Sequence, residues 1–133
     1  MDRDDILDAT ARRAGLDSER AAERALLATM TTLGEHVSKG ESQQMAAQLP
    51  PEISDAMTSR STDSPEEFDV DEFVSRVASR EGGEVSEDEA VVHSRAVMAT
   101  LADAGVRTKL QDAREQLPGE FATLFETDDL DAE

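Results

Sequence analysis

Two short stretches of this chain carry the same pattern, QLPPE at residues 48–52 and QLPGE at residues 116–120. They lie 68 residues apart, and other identical residues recur around them in the same order at offsets of 67 or 68, with a single insertion near Gly83. The further matches include Asp4 with Asp71, Ala11 with Ala78, Arg13 with Arg80, Gly15 with Gly82, Ala28 with Ala96, Met30 with Met98, Thr32 with Thr100, and Leu33 with Leu101. Chance rarely preserves order over so many positions, so the pattern predicts one structural unit present twice.

The QLPxE motif has a mechanical explanation. A proline at the first position of a helix loses no hydrogen bond, and its ring forces the preceding residue out of the helical region. We therefore predict that Pro50 begins a helix and that the previous helix ends before it. The glutamate two residues after the proline would accept from the free amides of the new helix. The motif thus predicts a sharp corner between two short helices.

The rest of each half also has helical spacing. In the first half we predict a short helix over 6–14 that Gly15 ends, then a long helix that Asp17 caps. The apolar residues of the long helix follow the three-and-four spacing of one buried face, and we predict that Gly40 ends it. These apolar positions are Ala22, Leu26, Met30, Leu33 and Val37. In the second half, SEDE at residues 86–89 has the spacing of a capping box.

These patterns predict an all-α fold in which two tandem, similar four-helix units form one bundle around a pseudo-twofold axis. The expected divisions are a first unit over 1–59, a polar linker over 60–69 and a second unit over 70–125. We expect the acidic tail over 126–133 to be disordered.

The net charge of −18 is the dominant feature of the composition, because 31 acidic residues face 13 basic ones. Such a surface repels phosphates and anionic membranes, which argues against nucleic-acid and membrane partners. Adaptation to high salt is one explanation, since molar salt screens the self-repulsion of the chain. A decoy for a basic partner is the other. We favour the halophilic interpretation, with diffuse association of cations at the surface.

The chain contains no cysteine, so it has no disulfide and no thiolate nucleophile. It also lacks an apolar run as long as a signal peptide or a membrane span needs. We therefore expect a cytoplasmic location.

Catalytic motifs are not visible. The chain has no P-loop, GxGxxG or GxSxG pattern, and paired carboxylates are too common here to mark one pair as special. Glu89 and His93 have a spacing that can supply two metal ligands, but no second pair accompanies them. We interpret Glu89 and His93 as a polar pair on one helix, and both histidines, His36 and His93, as solvated or half-buried structural residues. We predict no catalytic residue, no cofactor and no metal site.

Arg13 and Arg80 occupy matched positions just before glycines that end helices. They could bind an anion or a partner across the pseudo-twofold axis. Alternatively, each stabilises the end of its own helix and forms an ion pair with another helix.

The order of motifs resembles a known family, domain of unknown function 2267. The resemblance rests on DEFVSRVASREG, RAVMATLAD and REQLPGEFATLF, with weaker counterparts in DILDATARRAG and AAQLPPEISDAM, and it covers residues 4–125. It implies a small, all-helical, duplicated fold without an assigned activity. The stretch GVRTKL at residues 105–110 departs from the pattern of the first half, so we expect the loop there to be shorter or more helical.

Two functions are consistent with these observations. The first is a non-catalytic interaction or scaffold domain that contacts a protein partner, or a second copy of itself, through a helical face such as that of Leu27 or Val92. The alternative is a small ligand-binding protein or enzyme that uses the cleft between the two units, with Arg13 and Arg80 contacting an anion.

Overall fold

A computed structural model describes residues 1–60, 64 and 66–127. Its regular elements are helices and no strand occurs in these residues, which confirms the predicted all-α class. The helices are α1 (Arg3–Ala14), α2 (Glu19–His36), α3 (Lys39–Ala46), α4 (Pro51–Thr58), α5 (Val70–Glu81), α6 (Glu87–Leu101), α7 (Arg107–Glu115) and α8 (Ala122–Phe125). Residues 61–63 and 65 of the predicted linker and residues 128–133 of the predicted tail lie outside the described residues.

Local capping signals determine most helix ends. Asp2 caps α1 and exchanges hydrogen bonds with Asp5 in a capping box, one turn earlier than the sequence indicated. Gly15 ends α1 with a φ of 69°, a left-handed conformation that favours glycine. Ser86 and Glu89 form the predicted capping box at the start of α6.

The predicted cap at the start of the long helix is wrong. Ser18 rather than Asp17 caps α2, since its side chain accepts a hydrogen bond from the Ala21 amide at 3.0 Å.

The prediction that Gly40 ends the long helix is also wrong. The helix α2 ends at His36, Val37 and Ser38 are extended, and Gly40 lies within α3. The side chain of Ser38 accepts a hydrogen bond from the Glu41 amide at 3.2 Å, which starts α3 before the glycine is reached.

The two QLPxE stretches form corners, but each proline stands one position earlier than predicted. Pro50 and Pro118 are extended, with ψ of 148° and 150°, and each precedes its helix as the cap residue. For Pro50 the reason is the following Pro51, whose ring disfavours helical geometry in the residue before it. In the second corner, Glu120 accepts a hydrogen bond from the Val70 amide at 2.8 Å, which ties the corner to the start of α5.

The helices of the two halves pack across each other. The long helices α2 and α6 are in contact, and each of the shorter helices α1 and α5 packs against both of them. The helix α4 packs against α2 and α8 against α6, while α3 contacts α7. One continuous apolar core results. Its largest fully buried side chains are Phe73, Phe121, Ile6, Leu7, Leu26, Met30, Leu33, Met45, Ile53, Met57, Met98 and Leu101.

The halves differ at one close helix contact. At Gly34, α4 approaches α2 so closely that a Cβ atom would overlap the carbonyl oxygen of Met57. The matching residue in the second half is Ala102, where α6 ends and a connection over Ala102–Val106, kinked at Gly105 with a φ of 109°, leads into α7. Because alanine carries the Cβ that Gly34 lacks, the second half cannot repeat this contact unchanged. The loop within GVRTKL is not shorter than its counterpart, because α7 begins at Arg107, which matches Lys39, the first residue of α3.

Large apolar side chains are scarce on the described surface. Only Met1 and Val92 among them are exposed in the described residues, and Leu27 is half-buried. None of the helices in the described ranges combines the length and apolar character that crossing a bilayer requires.

Candidate functional site

Arg13 reaches from α1 to the end of the other half's long helix. Its guanidinium donates hydrogen bonds to the Thr100 hydroxyl at 3.1 Å and to the Asp103 carboxylate at 2.5 Å. The Arg13 side chain is only 12% exposed. The charge of Arg13 is therefore ion-paired within the molecule.

Arg80 makes the equivalent contacts in the other direction, from α5 of the second half to the long helix of the first half. Its guanidinium donates to the Thr32 hydroxyl at 2.8 Å and to both carboxylate oxygens of Glu35, at 2.6 and 2.9 Å. At an offset of 68, Thr32 and Glu35 are the counterparts of Thr100 and Asp103. The two arginines have different partners, and each pairs with the other half. An ion pair with another helix was one of the two roles that the sequence allowed for these arginines, and anion binding was the other.

Glu35 is the centre of a larger charged cluster. Arg76 donates to it at 3.2 Å, and Arg60 lies 3.9 Å away. Burial by itself would raise the pKa of Glu35, but hydrogen bonds and charges from Arg80 and Arg76 together lower that pKa below its ordinary value. Glu35 is therefore held as a carboxylate among arginines.

Glu89 and His93 do not pair with each other by a hydrogen bond. Glu89 accepts from the Ser86 amide at 3.0 Å, and its pKa is lowered chiefly by that bond. The Nδ1 atom of His93 lies 2.8 and 3.0 Å from the two carboxylate oxygens of Glu81. Both side chains are buried, so the interpretation of His93 as solvated or half-buried is wrong. The partner of His93 thus comes from α5, across the turn at Gly82.

His36 is buried rather than solvated or half-buried. Its ring stacks on Phe68 with a centroid distance of 4.2 Å and meets the edge of Phe121 at 5.0 Å. Only 8% of the residue is exposed, and within the described part of the chain neither ring nitrogen has a hydrogen-bond partner. A buried polar atom without a partner costs about 1–3 kcal/mol, so this arrangement requires an explanation.

A groove of about 730 Å³ lies beside His36. Its wall comes from both halves and from the segment between them, and it contains carboxylates but no lysine or arginine. The lining residues are His36, Glu66, Glu67, Phe68, Asp69, Gln116, Leu117 and Pro118. This volume lies in the range of small-molecule sites. A positively charged group in this groove could therefore contact carboxylates, aromatic faces and an imidazole nitrogen.

Two of the three carboxylates in the groove have partners in the chain. Glu66 accepts from Arg76 at 2.9 Å, and Asp69 caps α5 by accepting from the Glu72 amide at 2.8 Å. Glu67 is exposed, and the described residues supply it with no hydrogen bond or ion pair. Glu67 is consequently the carboxylate most able to contact a ligand.

Comparison with family models gives a match over residues 3–124 to a family described as an uncharacterized conserved protein, DUF2267. The chain belongs to this family. A search of curated proteins found no match. The DUF2267 assignment confirms the resemblance indicated by the sequence motifs.

The sequence did not reveal the groove of this DUF2267 protein. Its phenylalanine wall is Phe68, before α5, and the His36 ring is also held by the buried Phe121 in the second corner, far from His36 in the chain. The one available sequence signal was the scarcity of phenylalanine, since the chain has only four. In the structure three of them, Phe68, Phe73 and Phe121, form one cluster. Their convergence depends on the packing of α2, α5 and the second corner.

Proposed function

We propose that this DUF2267 protein is a non-catalytic, salt-adapted binding domain of the cytoplasm, and that the groove beside His36 binds an organic cation. The observation that carries the proposal is a buried imidazole without hydrogen-bond partners in the wall of an acidic groove. A ligand with N–H donors would bond to the imidazole and to Glu67 together, which compensates the burial of His36.

The proposal includes a tandem architecture, with units over 1–59 and 70–125 related by a pseudo-twofold axis. Two observations support it. The short first helix of each half contacts the long helix of the other half. In addition, the bonds from Arg13 to Thr100 and Asp103 correspond by sequence offset to those from Arg80 to Thr32 and Glu35. The groove beside His36 would then lie between the two units, where a ligand-binding protein of this architecture is expected to bind its ligand.

A groove site is favoured over a partner that docks on a helical face. Val92 is the only large apolar helix residue exposed in the described ranges, and an isolated apolar side chain is ordinary on a protein surface. No group of three or more His, Asp or Glu side chains in the described residues could hold a metal ion, so the proposed cation is organic. An ammonium or guanidinium group fits this site, either on a free amine or on a side chain of a partner protein.

The experiment is a titration followed by NMR at constant ionic strength. Arginine amide and a short peptide with one internal arginine represent the two sources, and tetramethylammonium is a cation without N–H donors. We expect saturable shifts at His36 and Phe68 with one or both guanidinium ligands, and weaker binding of tetramethylammonium. Shifts that are small and spread over the acidic surface would instead indicate diffuse ion association.

Two variants separate binding from folding. His36→Phe keeps an aromatic ring on Phe68 but removes both nitrogens, so binding should weaken while stability is kept or improved. Glu67→Gln should weaken binding about threefold to tenfold, whereas Glu84→Gln, at an exposed position outside the groove, should not. Unchanged affinity in both His36→Phe and Glu67→Gln would overturn the proposal.

A further inference from the structure

A second groove, between α2, α5 and the end of α4, is lined by three arginines and no acidic residue. Arg24, Arg60 and Arg80 lie around Leu27, Thr31 and Ser59, and the groove has a volume of about 380 Å³. The whole chain has only 13 basic residues against 31 acidic ones. Three positive charges around one groove are therefore unusual for this surface.

Two of these arginines have charge available for a ligand. Arg24 is exposed and makes no hydrogen bond or ion pair with the residues that the structure describes. The Arg60 side chain is 60% exposed, and its one ion pair in the described residues is the long 3.9 Å approach to Glu35. Such exposed, distant pairs contribute little, so forming a new contact costs these side chains little.

Arg80 supplies a fixed wall to the same groove. Its bonds to Thr32 and to both oxygens of Glu35 hold the guanidinium in one orientation. An arginine has more N–H donors than these bonds use. Glu35 cancels one of the three positive charges, which leaves a net positive site.

Packing does not require a basic residue at the position of Arg24. At the offset of 68, the matching residue in the second half is Val92, which is also on the surface. Leu27 in the groove matches Arg95, so the repeat does not preserve this pattern of charges. The charge that Arg24 contributes to this groove therefore has no counterpart at the equivalent place in the repeat.

We propose that this groove binds a phosphate group, through Arg24 and Arg60 with Arg80 as the preorganised wall. Arginine forks match the oxygen geometry of phosphate, and the acidic remainder of the surface repels a phosphate from other places. This second site goes beyond the organic-cation site and does not depend on it. Since a phosphate can be free or carried on a partner protein, the ligand is defined here by that shared group.

The test uses the full chain and NMR signals of the arginine side chains at constant ionic strength. Inorganic pyrophosphate represents the free source and a short phosphoserine peptide the protein source, while sodium chloride is the control salt. We expect saturable shifts at Arg24, Arg60 and Arg80 with at least one phosphate probe. Arg24→Gln and Arg60→Gln should each weaken binding about threefold to tenfold. Arg24→Lys should bind the phosphate probes more tightly than Arg24→Gln, because it keeps the charge. It should bind them less tightly than the wild type, because it lacks the forked guanidinium.

Arg12→Gln is the matched control, since Arg12 has a comparable exposure of 62% and pairs only with Asp8 on its own helix in the described residues. It should bind the probes as the wild type does. Equal affinities of Arg24→Gln, Arg60→Gln and Arg12→Gln would overturn the proposal. So would shifts that sodium chloride reproduces, because screening alone would then account for them. The Glu67→Gln variant should retain phosphate binding, which distinguishes this site from the organic-cation site.

Discussion

The carboxylate of Glu35 on α2 accepts hydrogen bonds from both terminal nitrogens of Arg80 on α5, at 2.6 and 2.9 Å. Glu35 is only 8% exposed, and Arg76 contacts the same carboxylate at 3.2 Å. Two half-buried arginines from α5 therefore share one acid from α2. This cluster joins the second half of the chain to the long helix of the first.

Replacing Glu35 with glutamine should lower the free energy of unfolding by about 2–3 kcal/mol, because two guanidinium groups lose their shared counter-charge. Urea denaturation followed by circular dichroism measures the change. Glu84→Gln, at an exposed position outside the cluster, should change stability by less than about 0.5 kcal/mol. Equal effects of the two substitutions would contradict a stabilising role for the cluster.

The lowered pKa of Glu35 makes part of the stability depend on pH. A carboxyl whose pKa is lower in the folded state stabilises the protein above its unfolded pKa, about 4.3, and that contribution is lost as pH falls through the folded value. The difference in unfolding free energy between the wild type and Glu35→Gln should therefore be largest near neutral pH and shrink in acid. A difference that stays constant between pH 7 and pH 3 would show that protonation of Glu35 is not the cause.

Gly34→Ala should destabilise the protein by about 3 kcal/mol, because the new Cβ would overlap the backbone oxygen of Met57 and force α2 and α4 apart. Gly40→Ala is the control. A Cβ at Gly40 meets no atom within 4 Å, and Gly40 lies within α3. Alanine there should be neutral or stabilise by up to about 1 kcal/mol. Thermal melts of both variants test the close contact, which would be disproved if Gly34→Ala melted like the wild type.

Glu81 and His93 should show energetic coupling. Each is buried against the other, so removing one leaves a polar group without its partner, at a cost of about 1–3 kcal/mol. The matching residues of the first half are Ala14 and Ala25, which shows that the repeat accepts alanine at both positions. The test is a double-mutant cycle of Glu81→Ala, His93→Ala and the double variant. The losses of unfolding free energy in the two single variants should add up to about 1 kcal/mol or more above the loss in the double variant. Strict additivity would mean that the pair contributes no interaction energy.

Stability should rise steeply with salt concentration. A net charge of −18 creates self-repulsion that molar salt screens to about 3 Å. Melting curves in sodium chloride from low to molar concentration measure this dependence. A melting temperature that is constant or falls with salt would refute the halophilic interpretation.

The helical elements could be predicted because their signals are local. Gly15 and Gly82 end helices with positive φ, and Ser86 with Glu89 starts one, since each cap involves residues within one turn. The errors also have local causes. Pro51 displaced the helix start from Pro50, and Ser38 began α3 ahead of Gly40.

The candidate site could not be predicted in the same way. The spacing of Glu89 and His93 suggested a pair, but the capping box engaged Glu89 and the packing of α5 on α6 supplied Glu81. The burial of His36 depends on Phe68 and Phe121, which no short-range pattern connects to it. Side-chain partners across helices are decided by packing, and packing is not encoded in the spacing within one helix.

By itself, the sequence determined the helical class, the family, several of the caps and the two proline corners, because backbone hydrogen bonding and proline geometry act within a few residues. Only the tertiary structure decided that Arg13 and Arg80 pair with Asp103 and Glu35, that His36 is enclosed by aromatic rings, and that Arg24 and Arg60 line one groove. These contacts join residues that are distant along the chain. They exist because the helices of the two halves bury their apolar faces against one another, and that burial places the charged side chains at the edges of the contacts.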